Sequence, residues 1–370
     1  MRVLFVSTQG AGHYSPLVPF IAAARRSGHD VLVVVPPALA ATVEEAGFPL
    51  RVGADPPEEE LSALWSGVPH ASPDEANEIV IGEIFARLDT EAMLPTLREA
   101  CREWRPDLVL RDPSEFASAV AAEEAGVAHA RVACGLADIE VLSLGIAEPV
   151  LERLRAGVVS RIRESSFLTF LPETIDESPF GRTLRFSDPS TSSSPRPLPD
   201  WWSGDERPLV YVTFGSVTGA LPLAPGAYSA ALEAVAELPV RVLLTIGRRT
   251  DPELVSRRPA NVHVEAWVPQ ADVLGHARVV VGHGGYGTMT GTLAAGVPSV
   301  VVPLFADQPY NARRVEEVGA GVVAAAEPTA IRDALETVLG DPSYGQAAEA
   351  IAAAMRSLPP VDAAFDALAR

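Results

Sequence analysis

VVVGHGGYGTMTGTLAAGVPSVVVPLFADQPYN, Val279 to Asn311, has no charged residue before Asp307. Its apolar density suggests a membrane span, but Val279 to Ala306 holds six glycines, two prolines and a histidine. It therefore reads as strand, glycine loop, helix and strand, the unit from which a parallel sheet buried on both faces is built. The same grammar extends outward. PLVYVTFGS (Pro208–Ser216), VRVLLTIG (Val240–Gly247) and NVHVEAWV (Asn261–Val268) are apolar strand candidates with helical sequence between them. The first half repeats the pattern with RVLFVST (Arg2–Thr8), HDVLVVVP (His29–Pro36), PDLVLRD (Pro106–Asp112) and VAHARVA (Val127–Ala133). A helix is expected from Ser15 to Ser27, stopped by Gly28.

Strands alternating with helices predict two doubly wound α/β domains. At about 100–200 residues per domain, the 370-residue length agrees. The Ser/Pro-rich stretch before Pro208 reads as a linker. The expected organisation is residues 1–190 as a first Rossmann-like domain, 191–207 as linker, 208–355 as a second such domain, and 356–370 as a C-terminal helix packing back toward the first. In open α/β sheets, ligands sit beyond the carboxyl ends of the strands. Two such domains facing across a deep cleft would hold one ligand each.

Composition excludes several chemistries. All 29 basic residues are arginine, against 48 acidic ones, for a net charge of −19. With no lysine, neither a Schiff base nor a Walker P-loop can be built. The acidic surplus argues against nucleic acid and anionic membranes as partners, although acidity also simply serves solubility. Two cysteines, Cys101 and Cys134, are too few for a disulfide framework or a cysteine zinc site. The opening MRVLFVST, a short apolar run and then polar residues, reads as a strand and not a secretory signal, so a cytoplasmic protein is expected. No HxH, HExxH or DxD pattern occurs, and no metal is expected.

In the second half, Gly284, Gly285 and Gly287 would leave the backbone bare. The helix N-terminus beyond them, with Thr288, favours phosphate, and His283 can donate a hydrogen bond. A tight turn without a ligand is the plain alternative. Trp267 can stack on a flat base, with Val268 and Gln270 beside it. Asp307 and Gln308 combine acceptor and donor groups suited to sugar hydroxyls. Core packing for Trp267 and helix capping for Asp307 remain open.

In the first half, TQGAGHYSPL (Thr8–Leu17) resembles a dinucleotide loop only superficially. Its third small residue is Ser15, and Val35-Pro36-Pro37 offers no acid for a ribose, which disfavours a nicotinamide enzyme. His13 lies where this loop would open into the cleft, as catalyst or as structure. Asp112 closes a strand, where the plain reading is a cap for the following helix. Leu61, Leu64, Trp65, Ile79, Ile84, Phe85, Leu142 and Leu144 read equally as core or as the wall of an apolar pocket.

Trp267-Val268-Pro269-Gln270, then His283 to Thr288, then Pro303 to Gln308 together resemble the signature of the family 1 glycosyltransferases. VPLFADQPYNARRVEEVGAG (Val302–Gly321) is most similar to the actinobacterial branch that decorates macrolides, aromatic polyketides and enediynes. The resemblance implies the GT-B fold. It implies a nucleotide-sugar donor, with Trp267 on the base, Val268 reading it through its backbone, and Ser216, His283 and the Gly284–Thr288 amides on the diphosphate. Asp307 and Gln308 would bind the sugar. In G-x-G-H-x-x-P-L, His13 would be the general base, oriented by Asp112. The reaction implied is inverting transfer, without metal or cofactor, of a sugar to a hydrophobic small-molecule acceptor. A homodimer is the candidate assembly. A nucleotide-sugar epimerase or hydrolase, or a non-catalytic partner protein, is the competing reading. Retention of both His13 and Asp112 argues against it. One departure stands out: where many uridine-diphosphate-sugar enzymes of the family carry a ribose-binding glutamate, this chain has Gly291, so thymidine-diphosphate sugars are expected to be preferred.

Overall fold

β1 (Arg2–Val6), β2 (Asp30–Val35), β3 (Leu50–Val52), β4 (Leu108–Arg111), β5 (Ala128–Val132), β6 (Ser166–Thr169) and β7 (Thr183–Arg185) form one sheet in the order β3-β2-β1-β4-β5-β6-β7. Every pairing in it is parallel. β8 (Leu209–Thr213), β9 (Arg241–Thr245), β10 (Val262–Glu265), β11 (Ala277–Gly282), β12 (Ser299–Val301) and β13 (Gly321–Val323) form a second parallel sheet, ordered β10-β9-β8-β11-β12-β13. This computed structural model describes residues 1–188, 196–215, 224–248, 255 and 258–369. Both sheets change direction beside their first strand in sequence, β1 and β8, where chain order reverses. That is the topological switch of a doubly wound fold.

The apolar runs act as their composition predicts. Val3, Leu4, Phe5 and Val6 of β1 are all fully buried, because helices cover both faces of the sheet. The second sheet is filled the same way by Val210, Val212, Val242, Leu244, Val279 and Val281. β3, β6, β7 and β13 were not anticipated. Each has only three or four residues, too few to show a period.

The chain divides into two compact units, Met1–Phe186 with Pro359–Arg370, and Ser187–Leu358. Residues 191–195 of the anticipated linker lie outside the described residues. Its remainder packs on the second unit: Arg196 pairs with Asp272 at 2.8 Å, and Trp201 stacks on His263 with ring centres 4.6 Å apart. At the C-terminus, the helix Pro342–Arg356 ends where the last helix was expected to begin. A 3₁₀ turn, Val361–Ala363, then leads into a short helix, Ala364–Leu368. Val361, Ala364 and Phe365 join the core of the first unit. Among the described residues no helix is long and apolar enough to cross a membrane.

Candidate active site

The first helix begins four residues earlier than its sequence suggested. Gly10 has φ 106°, a conformation that needs glycine, and its carbonyl accepts from the His13 and Tyr14 amides. Ala11–Tyr14 is therefore helical, and Pro16 tightens the next turn, Ser15–Leu17, into 3₁₀ geometry. His13 thus sits on a fixed first turn beyond β1 rather than in an open loop.

Asp112 follows β4, the neighbour of β1, and is fully buried. His13 Nδ1 lies 3.1 Å from Asp112 Oδ1. The other carboxylate oxygen accepts from the Thr8 amide at 2.8 Å, and Oδ1 also accepts from the Ser114 amide at 2.9 Å. Beneath the loop, the buried Arg111 guanidinium donates through Nη1 to the carbonyls of Asp112, Pro113 and Glu115. The helix that follows starts only at Ala117, so Asp112 is not its cap. Burial disfavours the Asp112 carboxylate, but the His13 charge and these hydrogen bonds hold it below the ordinary carboxylate range. Burial also disfavours the His13 imidazolium. The Cys134 sulfur, 3.6 Å from Nδ1, and the Asp112 carboxylate outweigh that and raise His13 well above an ordinary imidazole.

Three further neighbours surround His13: two escaped sequence reading, and Phe85 was read only as an apolar candidate. Cys134 follows β5, next to β4 in the sheet. Phe85 sets its ring edge-on to His13, with centroids 5.5 Å apart. Asp89 accepts from the Thr8 hydroxyl at 2.9 Å, linking it through Thr8 to Asp112. Burial lifts Asp89 to about 6 despite that bond, and the Asp112 charge adds to the rise. Phe85 and Asp89 belong to a π-helical stretch, Glu78–Asp89, a rare geometry that recurs at functional sites. Among the other apolar candidates, Ile84 and Leu144 are fully buried core, whereas Trp65 and Leu142 are exposed.

In the second unit, the glycines of the β11 loop prove to differ in purpose. Gly284 has φ 80°, and a Cβ there would strike Val301. At Gly285, a Cβ would lie 2.5 Å from His283 Nε2, and one at Gly215 would lie 2.8 Å from it. Both bare positions therefore house the imidazole of His283. Gly287 alone of the three opens outward, since among the described residues nothing lies within 4 Å of its would-be Cβ. The helix Tyr286–Ala294 has no side-chain cap at Gly285, so the amides of its first turn, Thr288 included, lack intrahelical acceptors. Burial pushes His283 down to about 4. In neutral solution it is a neutral donor, so the helix N-terminus and not an imidazolium supplies positive potential there.

Asn311, also missed, knits the loop together. Its buried amide donates to the Gly284 carbonyl at 2.8 Å and to Asp307 at 2.7 Å. Asp307 opens the helix Gln308–Glu317 but makes no side-chain cap. Ala306 before it has φ 55°, an unusual conformation for a residue with a side chain. Gln308 is buried, and its Oε1 accepts from the Leu304 and Phe305 amides. Its Nε2 end is thus the end suited to a ligand hydroxyl. Trp267 lies past β10 and is 42% exposed, with the Arg248 guanidinium 3.5 Å from its ring centre. A base stacking there must displace Arg248 or use the other face. Val268 is half-buried against a core cluster that includes Leu209 and Val273. Gln270 turns its carboxamide onto Gly291; among the described residues its buried Nε2 has no hydrogen-bond partner. Ser216 lies outside the described residues.

Two parallel α/β units of this topology, each with polar groups gathered beyond its strand ends, define a protein of the GT-B glycosyltransferase fold. The spinosyn rhamnosyltransferase SpnG, solved with thymidine diphosphate, superposes with a TM-score of 0.83 over all of both chains at 22% identity. The erythromycin biosynthesis protein CIII-like families match here too, the N-terminal domain over residues 22–179 and the C-terminal domain over 229–367. The elloramycin glycosyltransferase ElmGT of Streptomyces olivaceus is 33% identical, across 98% of this chain and 96% of its own. The TDP-daunosamine transferase DnrS of Streptomyces peucetius is 29% identical, across 97% of this chain and 94% of its own. The chain belongs to the family 1 glycosyltransferases, in the actinobacterial branch that works on natural products.

Proposed function

We propose that the protein is an inverting, metal-independent glycosyltransferase that moves a deoxysugar from a thymidine-diphosphate donor to a hydroxyl of a hydrophobic natural product. The observation that carries this reading is the 3.1 Å contact between His13 Nδ1 and Asp112 Oδ1. A carboxylate at Nδ1 fixes the proton there and leaves the Nε2 lone pair as the base. The acceptor hydroxyl gives its proton to Nε2 as its oxygen attacks the anomeric carbon, and the diphosphate departs from the opposite face. Asp112 stabilises the imidazolium so formed. The uncapped amides at the start of the helix Tyr286–Ala294 receive the charge that develops on the diphosphate, and His283 contributes one neutral N–H. Asp307 and the Gln308 amide orient the sugar. Exposed Trp65 and Leu142 with half-buried Phe85 support an apolar acceptor. The thymidine preference is supported by Gly291, by Gln270 lying against it, and by the donor named for DnrS.

The test is transfer from thymidine-diphosphate deoxysugars to a panel of polyketide aglycones in excess EDTA, with the product's anomeric configuration read by NMR. Undiminished transfer with inversion is expected. Retention of configuration, or activity abolished by EDTA and restored by magnesium, would overturn the reading.

A further inference from the structure

Cys134 has no part in the chemistry above, yet its sulfur faces the same imidazole nitrogen as Asp112. His13 Nδ1 is 3.1 Å from Asp112 Oδ1 and 3.6 Å from Cys134 Sγ, and the three ligand atoms lie within 4.8 Å of one another. Among the described residues it is the one such His/Cys/Asp/Glu grouping. With zinc bonds of about 2.0 Å to nitrogen and oxygen and about 2.3 Å to sulfur, a tetrahedral ion separates N and O by about 3.3 Å and N and S by about 3.5 Å. The observed spacings match both.

We propose that His13, Asp112 and Cys134 form a binding site for a single thiophilic divalent cation of the zinc class, and that its occupancy switches the enzyme off. Asp112 and Cys134 closely follow the adjacent strands β4 and β5, and His13 sits on the helical turn beyond their neighbour β1, so the fold holds the three donors together before any ion arrives. Asp112 is pinned by the Thr8 and Ser114 amides. The His13 side chain is 25% exposed and Cys134 is half-buried, which gives an ion a way in and a water the fourth position. A nitrogen, a carboxylate oxygen and a thiolate make a set that suits zinc and not magnesium or calcium. Binding moves no electrons. The thiol proton passes to bulk water, the single proton of the neutral ring shifts through water from Nδ1 to Nε2, and bonds from the metal to sulfur and nitrogen take their places.

Inhibition follows from which nitrogen is taken. A metal on Nδ1 leaves the proton of the neutral ring on Nε2. The atom that would accept the substrate's proton then has no lone pair. The site is thus an off-switch, not a cofactor site. The other cysteine cannot substitute for Cys134: Cys101 is buried in the helix Thr90–Trp104, where burial lifts its thiol to about 11. The binding half of this proposal stands apart from the proposed reaction; the inhibition half rests on His13 being the base.

The whole chain, stripped with a chelator, is titrated with Co²⁺ as a spectroscopic probe and then with Zn²⁺ in competition with a chromophoric chelator. One equivalent should bind with a thiolate-to-cobalt charge-transfer band. Cys134→Ser should lose the band and bind Zn²⁺ at least 10-fold more weakly. In the wild type, one equivalent of Zn²⁺ should slow carboxymethylation of Cys134, a readout that needs no variant. No charge-transfer band, or an unchanged alkylation rate, overturns the site and leaves the glycosyltransferase reading standing. In the transfer assay, Zn²⁺ should inhibit and EDTA should restore the rate. Tight binding at Cys134 without inhibition would overturn the switch and, with it, the role of Nε2 as base.

Discussion

Replacing Gly285 by alanine tests whether this glycine exists to make room for His283. The backbone there, φ −61° and ψ 145°, suits alanine, so any cost must be steric. The added Cβ would lie 2.5 Å from His283 Nε2 and 3.1 Å from Cε1. A relaxed contact needs about 3.5 Å, so the ring must retreat by about 1 Å. Gly215 also borders the ring, since a Cβ there would come within 2.8 Å of it. Overpacking of this kind costs about 1–3 kcal/mol. In a His283→Ala background the obstacle is gone, and Gly285→Ala should instead stabilise by about 0.4–1 kcal/mol through the unfolded chain. The two effects differ by about 1.5–4 kcal/mol, an unusually large coupling for adjacent small substitutions. Chemical denaturation of the four proteins of the cycle, followed by far-ultraviolet circular dichroism, measures it. Gly287→Ala, which meets open space, serves as the control and should cost nothing. An equal cost for Gly285→Ala in both backgrounds would refute the packing argument. Calorimetry gives the functional counterpart. If the displaced ring no longer donates to the diphosphate, thymidine diphosphate should bind roughly 10- to 100-fold more weakly to Gly285→Ala, as loss of a hydrogen bond to a charged group implies.

His13 must be neutral to accept a proton, and its environment favours the imidazolium. The rate should therefore rise with pH through a limb above the ordinary imidazole value of 6.5. In Asp112→Asn the limb should move to lower pH while the plateau falls; a wild-type limb at or below 6.5 would contradict the electrostatics. Paired calorimetry should find thymidine diphosphate bound more tightly than uridine diphosphate, by about 5- to 150-fold if the 2′-hydroxyl is buried without a partner. Gly291→Glu should narrow that ratio, although its Cβ must first push aside the Gln270 carboxamide, 3.0 Å away. Tighter uridine diphosphate binding by the wild type would refute the preference.

The strands that build the sheet centres were legible because burial on both faces writes an uninterrupted apolar run, as in β1, β8 and β11. The short strands left no such mark. Helix onset at Ala11 was hidden because its cause is a backbone angle at Gly10. His13 and Asp112 could be read, since one lies inside the motif G-x-G-H-x-x-P-L and the other closes PDLVLRD. Cys134 and Asp89 could not: nothing local distinguishes them, and only the strand order β1-β4-β5 and a π-helical turn carry them to His13. The spacing of the β11 glycines suggested one shared purpose. Three-dimensional packing divided them, with Gly285 serving His283, Gly284 a left-handed turn, and Gly287 opening outward. Asn311 carried one faint signal, its place four residues after Asp307 on the same helix face.

The most direct test of the account is the single-turnover rate of His13→Ala with a thymidine-diphosphate sugar and an alcohol acceptor, measured alongside thymidine diphosphate affinity. Loss of a general base predicts a rate lower by about 10²–10⁴-fold with the dissociation constant nearly unchanged. Wild-type turnover by His13→Ala would contradict the central claim, and so would a loss of rate accounted for wholly by weaker donor binding.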